Sequence, residues 1–89
     1  MQNKIKLNCR YKDNNYLLPL LDKEGNETNT YKLELENSYV RVGYDGTDRY
    51  FIDPSGGPMI KVGEVLSEVG KKVINIAYTQ NVGYVITFE

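Results

Sequence analysis

Phe51-Ile52-Asp53-Pro54-Ser55-Gly56-Gly57-Pro58-Met59-Ile60-Lys61-Val62-Gly63-Glu64-Val65-Leu66 is the stretch on which the fold turns. It carries two of the chain's three prolines and three of its eight glycines. Before it, apolar and polar residues alternate with the period of two that a half-buried strand requires. After it, Val62, Val65, Leu66 and Val69 recur at i, i+3, i+4 and i+7, the stripe of one short helix over 62–69. Gly63 weakens that helix by about 1 kcal/mol relative to alanine. Gly70 followed by Lys71-Lys72 reads as its C-terminal stop. The competing assignment is a strand over 59–62 and a loop over 64–70.

Working outward, Asp45-Gly46 is the strongest hairpin signal, because both central residues of a type I′ turn take positive φ. It joins a strand over 39–44 to a return strand over 49–52, and Asn37-Ser38 turns the chain into the first of these. Farther upstream, Ile5, Leu7, Cys9 and Tyr11 alternate with Lys4, Lys6, Asn8 and Arg10, which makes a strand with one wet face. Cys9 falls on the apolar side and reads as an inert core residue. Residues 12–15 have turn chemistry, and 16–21 form a second strand. Pro19 has no N–H to give a ladder, so that strand belongs at an edge or a bulge there. After a polar loop over 22–27, Tyr31, Leu33 and Leu35 alternate with Lys32, Glu34 and Glu36. At the far end, 73–78 and 84–88 are β-branched and aromatic and form a hairpin through 79–83. The chain stops within that last strand, so its end is expected to be tied into a sheet.

These elements amount to about seven short strands, spaced as in small sandwiches and barrels, and one short helix. The expectation is a single domain over 1–89, mainly β and α+β at most. One flat sheet would leave a face unburied in so short a chain. A small antiparallel sheet, curled or closed into a barrel and covered or plugged by the helix, solves this.

Composition narrows the function. A chain of 89 residues buries roughly 60–65% of its unfolded surface, a modest core. Twelve acids against eleven bases give a net charge of −1, which supplies no field to steer the protein onto duplex nucleic acid. The single cysteine allows no intrachain disulfide, so the reducing cytoplasm is the expected setting. No apolar run approaches the ~18 residues of a membrane helix, and the first residues lack a signal peptide's apolar core, so no membrane partner is expected. Histidine is missing, and with it every Ser-His-Asp or Cys-His nucleophile, imidazole base and imidazole metal ligand. A protein without enzymatic activity is therefore expected. Tyrosine is over-used instead, eight against two phenylalanines, and its ring and hydroxyl suit binding surfaces.

Two sets of residues carry a possible binding chemistry. Ser55, Gly56 and Gly57 let backbone N–H groups converge on an anion, although Pro58 removes one amide and the same cluster serves as a tight corner. Around the hairpin, Arg41 and Arg49 can clamp a phosphate while Tyr44 and Tyr50 stack on a ring, with Lys61 the next cation. The plain alternative is cross-strand Arg–Tyr packing on a wet face. Asp45, Asp48 and Asp53 lack the regular spacing and closing Glu of a calcium loop, so neither a metal nor a cofactor is expected.

The Pro54-Ser55-Gly56-Gly57-Pro58 corner in a compact chain resembles small uncharacterised accessory proteins of bacteriophages and gut bacteria. Some phage proteins of this size act without catalysis, by blocking a host defence protein or sequestering its nucleotide signal. The resemblance implies a binder rather than an enzyme and carries over no functional residue. The expected function is a non-enzymatic module that binds a small phosphate-bearing ligand such as a signalling nucleotide. The alternative is a protein-interaction module that inhibits a host protein, or a structural module with no small ligand. With so small a core, strand edges and apolar faces are expected to be covered by self-association into a homo-oligomer. Light scattering at high protein concentration should give a multiple of the 10.2 kDa chain mass; a strict monomer would contradict this.

Overall fold

Alternation prevails along most of the chain. The computed structural model describes residues 4–7, 14–36, 41–46, 48–52 and 59–89, and among these the regular structure is all strand. The strands are β1 Ile5–Lys6, β2 Asn14–Leu21, β3 Glu27–Glu36, β4 Arg41–Asp45, β5 Asp48–Ile52, β6 Ile60–Lys61, β7 Val65–Leu66, β8 Lys71–Thr79 and β9 Gly83–Phe88. They form a curled six-stranded sheet in the order β1-β2-β3-β9-β8-β7 and a three-stranded sheet in the order β4-β5-β6. Every described pairing is antiparallel. The mainly β reading holds. No helix long and apolar enough to cross a membrane occurs among the described residues.

β9 lies inside the large sheet, between β3 and β8. Its Ile86 stands opposite Tyr31 on one side and Ile76 on the other, and is fully buried at 0% exposure. Phe88 is also buried and meets the Tyr31 ring edge-on at 5.2 Å. The last residue continues the pairing, since the Glu89 N–H donates to the Lys72 carbonyl at 2.8 Å. Leu7 just after β1, Leu17 of β2 and Leu33 of β3 join Ile86, Phe88, Val73, Ile76 and Leu66 in one core cluster. The small sheet adds Phe51 and Ile60 to the same cluster, lying against β8 through β5 and β6. Pro19 sits where the β2–β3 register shifts, so of its two expected places it takes the bulge. Strand β2 starts earlier than sequence placed it, because Asn15, expected in a turn, is fully buried and pairs with Leu35.

The expected helix over 62–69 does not form. Gly63 adopts φ +94°, which an α-helix cannot accommodate, and the chain turns sharply there instead. The Glu64 N–H bonds the Lys61 carbonyl at 3.2 Å, and Gly63 and Glu64 exchange hydrogen bonds with Val73 at 2.8 and 2.9 Å. Lys61, just before the expected helix, and Val65 within it thus belong to different sheets. What remains of the helix is one turn, in which the N–H groups of Val69 and Gly70 both bond the Leu66 carbonyl. Of the stripe, Leu66 is buried and Val62 and Val69 pack against the core, while Val65 is exposed. The alternative, a strand near 59–62 and a loop after 64, was closer.

The hairpin turn falls one residue later than the Asp45-Gly46 signal placed it. Asp45 closes the β4–β5 ladder opposite Asp48, and Gly46 supplies the positive φ of +67°. The terminal hairpin forms as expected, with one irregularity: Val73 pairs with Phe88 and Asn75 with Thr87, so Ile74 is an extra residue, bulged and 49% exposed. This register separates two isoleucines by environment. Ile86→Ala should cost about 2–5 kcal/mol in urea denaturation, whereas Ile74→Ala should cost about 0.5 kcal/mol or less. Equal losses would contradict the bulge.

Candidate functional site

The β4–β5 hairpin distributes its side chains by parity. Tyr44 stands directly opposite Arg49 and Val42 opposite Phe51, so these four share one face. That face turns inward, because Phe51 is buried and meets the Tyr84 ring of β9 edge-on at 4.8 Å. Arg41, Asp45, Asp48, Tyr50 and Ile52 have the other parity and face outward. Lys61 joins them, being paired with Tyr50 across β5–β6.

On the inner face a cleft of about 290 Å³ opens between the hairpin and β8. Tyr44 and Arg49 form one wall, Asn75, Ile76, Ala77 and Tyr78 the other, and Val62 and Asp48 also border it. The Arg49 guanidinium lies 5.7 Å from the Tyr44 ring and 5.7 Å from the Tyr84 ring, within cation–π range of both. Tyr84 in turn meets the Tyr78 ring at 5.1 Å. The cation is thus held by aromatic faces rather than by a carboxylate. Its Nη1 is buried and has no hydrogen-bond partner among the described residues. Tyr44 and Tyr78, on opposite walls, are 64% and 56% exposed.

The outer face is arranged differently. Lys61 Nζ and an Asp45 carboxylate oxygen form an ion pair at 2.7 Å. Its hydrogen bond, and then its charge attraction, hold the Asp45 carboxyl below the ordinary carboxylate value and push the Lys61 ammonium up. The Tyr50 ring lies over Gly43, its cross-strand partner: a Cβ at position 43 would stand 2.5 Å from Tyr50 Cζ. Glycine on this edge strand makes room for the ring, which in turn covers the bare backbone. A shallow cavity of about 300 Å³ runs past Tyr50, Ile52, Met59, Lys61 and Asp45 to the rim at Tyr44. Arg41 borders a smaller one of about 180 Å³ with Gly43 and Tyr50.

Of the residues expected to form a site, the structure brings Tyr44 and Arg49 together on the inner cleft. Arg41, Tyr50 and Lys61 lie on the opposite face and do not join them. Ser55, Gly56 and Gly57 lie outside the described residues. Sequence reasoning missed Tyr78, Tyr84 and the β8 wall. The expected terminal hairpin already placed Tyr78 and Tyr84 near its turn, but not against Arg49. No family model matches the chain, and comparison with curated proteins and with solved structures finds no match.

The outer ion pair has a definite pH signature. A depressed carboxyl contributes stability above its unfolded value and loses it as pH falls through the folded value. A raised ammonium contributes below its unfolded value and loses it as pH rises through the folded one. The pair therefore acts between the two, and weakly, because both groups are solvated. In an NMR titration the Asp45 carboxyl should have its midpoint below the ordinary range, and Lys61→Met should return it there. An unchanged midpoint in that variant would show that the pair does not persist in solution.

Proposed function

We propose that this chain is a non-enzymatic binding module whose inner cleft holds a small phosphate-bearing ligand of the nucleotide type. The observation that carries this reading is Arg49, whose Nη1 is buried without an acceptor among the described residues while the residue borders an open cleft. A buried donor left unmade costs about 1–3 kcal/mol, and more on a charged group. A ligand acceptor that reached Nη1 would remove that cost. Tyr44 and Tyr78 leave much of their rings in water, surface on which a planar ligand can stack. The cleft volume of about 290 Å³ is at the low end for ligand sites, which suits one ring system rather than an extended chain. The absence of histidine in the sequence favours binding over catalysis.

A second reading, a protein-interaction module that inhibits a host defence protein, draws support from the outer face. There Ile52 and Met59 are 39% and 45% exposed beside the Tyr50 ring. Self-association and a cytoplasmic setting are compatible with both readings.

Calorimetric titration with a panel of mono-, di- and cyclic nucleotides tests the first reading. Arg49→Ala should weaken binding by about 1.5–3 kcal/mol if its hydrogen bond to the ligand is buried. Thermal melting must show that the variant is folded. Arg49→Lys should recover little, since an ammonium keeps the charge and loses the planar fork. No heat with any nucleotide, from folded protein, would transfer the case to the second reading.

A further inference from the structure

Resting on the nucleotide reading, we infer that the cleft takes the ligand's ring, a neutral planar heterocycle with adjacent hydrogen-bond donor and acceptor groups such as a nucleobase, and leaves its phosphate outside. The first ground is the wall formed by β8. Strand β7 pairs only with Lys71 and Lys72, and the Gly63–Glu64 turn extends the pairing to Val73. Beyond Val73 no described strand continues along that edge, and there Asn75, Ile76, Ala77 and Tyr78 line the cleft. Backbone N–H and C=O groups of a strand alternate between its two neighbours. On this run those directed away from β9 are without a described strand partner, so a donor and an acceptor stand a short way apart at the cleft wall. A nucleobase edge presents the complementary pair.

The second ground is charge. Arg49 is the one cationic side chain bordering the cleft among the described residues, and Asp48 borders it too. A phosphate carries up to two negative charges and calls for several donors or cations when it is taken out of water. One guanidinium, already facing two rings, does not supply them. A carbonyl oxygen or ring nitrogen satisfies Nη1 without importing charge. The third ground is shape: the exposed Tyr44 and Tyr78 rings stand on opposite walls of the same cleft.

The experiment titrates the intact chain with four nucleosides, their monophosphates, inorganic phosphate and pyrophosphate. Heat is followed together with intrinsic fluorescence, which in a chain without tryptophan comes from tyrosine. The expected result is that at least one nucleoside binds within about threefold of its monophosphate and quenches the tyrosine signal by stacking on the rings. Its affinity should change little between low and high salt, as for an uncharged ligand. Tyr78→Leu, shown by melting to be folded, should weaken it about tenfold or more. Inorganic phosphate and pyrophosphate should fail to compete. Monophosphates that bind where nucleosides do not, or displacement by pyrophosphate, would overturn the ring-inward placement while leaving the nucleotide reading intact. Binding by none of them would overturn both.

Discussion

The contact between Phe51 and Tyr84 is what the rest of the molecule depends on. Among the described residues no strand of the small sheet is hydrogen-bonded to a strand of the large one, so their relation rests on side-chain packing. Phe51 supplies its centre, buried among the core residues and set edge-on against Tyr84. Burying such a ring is worth about 1.5–3 kcal/mol, and the edge-to-face geometry about 0.5–1.5 kcal/mol more. Tyr84 is also the ring on which Arg49 rests, and Arg49 stands across from Tyr44. One aromatic contact therefore fixes both the union of the two sheets and the spacing of the cleft walls.

The small sheet is consequently a two-sided object with two kinds of electrostatics. Inside, the cation is met by ring faces and one of its nitrogens has no acceptor among the described residues. Outside, the cation is paired with a carboxylate in water. The type of residue follows the setting. A delocalised, weakly hydrated guanidinium tolerates burial between rings, whereas a compact, strongly hydrated ammonium is at home on the wet side.

How much of this was legible follows from which signals are local. Period-two alternation and turn chemistry located most of the strands, set Pro19 at an edge or a bulge and found both hairpins, because each depends on a few neighbouring residues. The helix failed for a related reason. Val62, Val65, Leu66 and Val69 match a helical stripe over only two turns, too few to outweigh Gly63 once β8 lay close enough to pair. The site was half legible. Adjacent strand residues point to opposite faces, so parity already sets Arg49 and Tyr50 on different sides of the small sheet. Which face would meet Tyr84 and the β8 edge depends on contacts some thirty residues apart along the chain, on the order of the reach that local patterning cannot encode.

The place of β9 has a consequence for how the molecule is made. It is the latest of the nine described strands in sequence, yet it sits between β3 and β8. Until residues 83–88 pair, the large sheet exists at most as two separate pieces, β1–β2–β3 and β7–β8. Each piece then has an unpaired inner edge and an uncovered apolar face. The sheet can join only in one late step, when β9 enters the gap and pairs on both sides. A chain in which that pairing has not yet formed offers two adhesive edges at once.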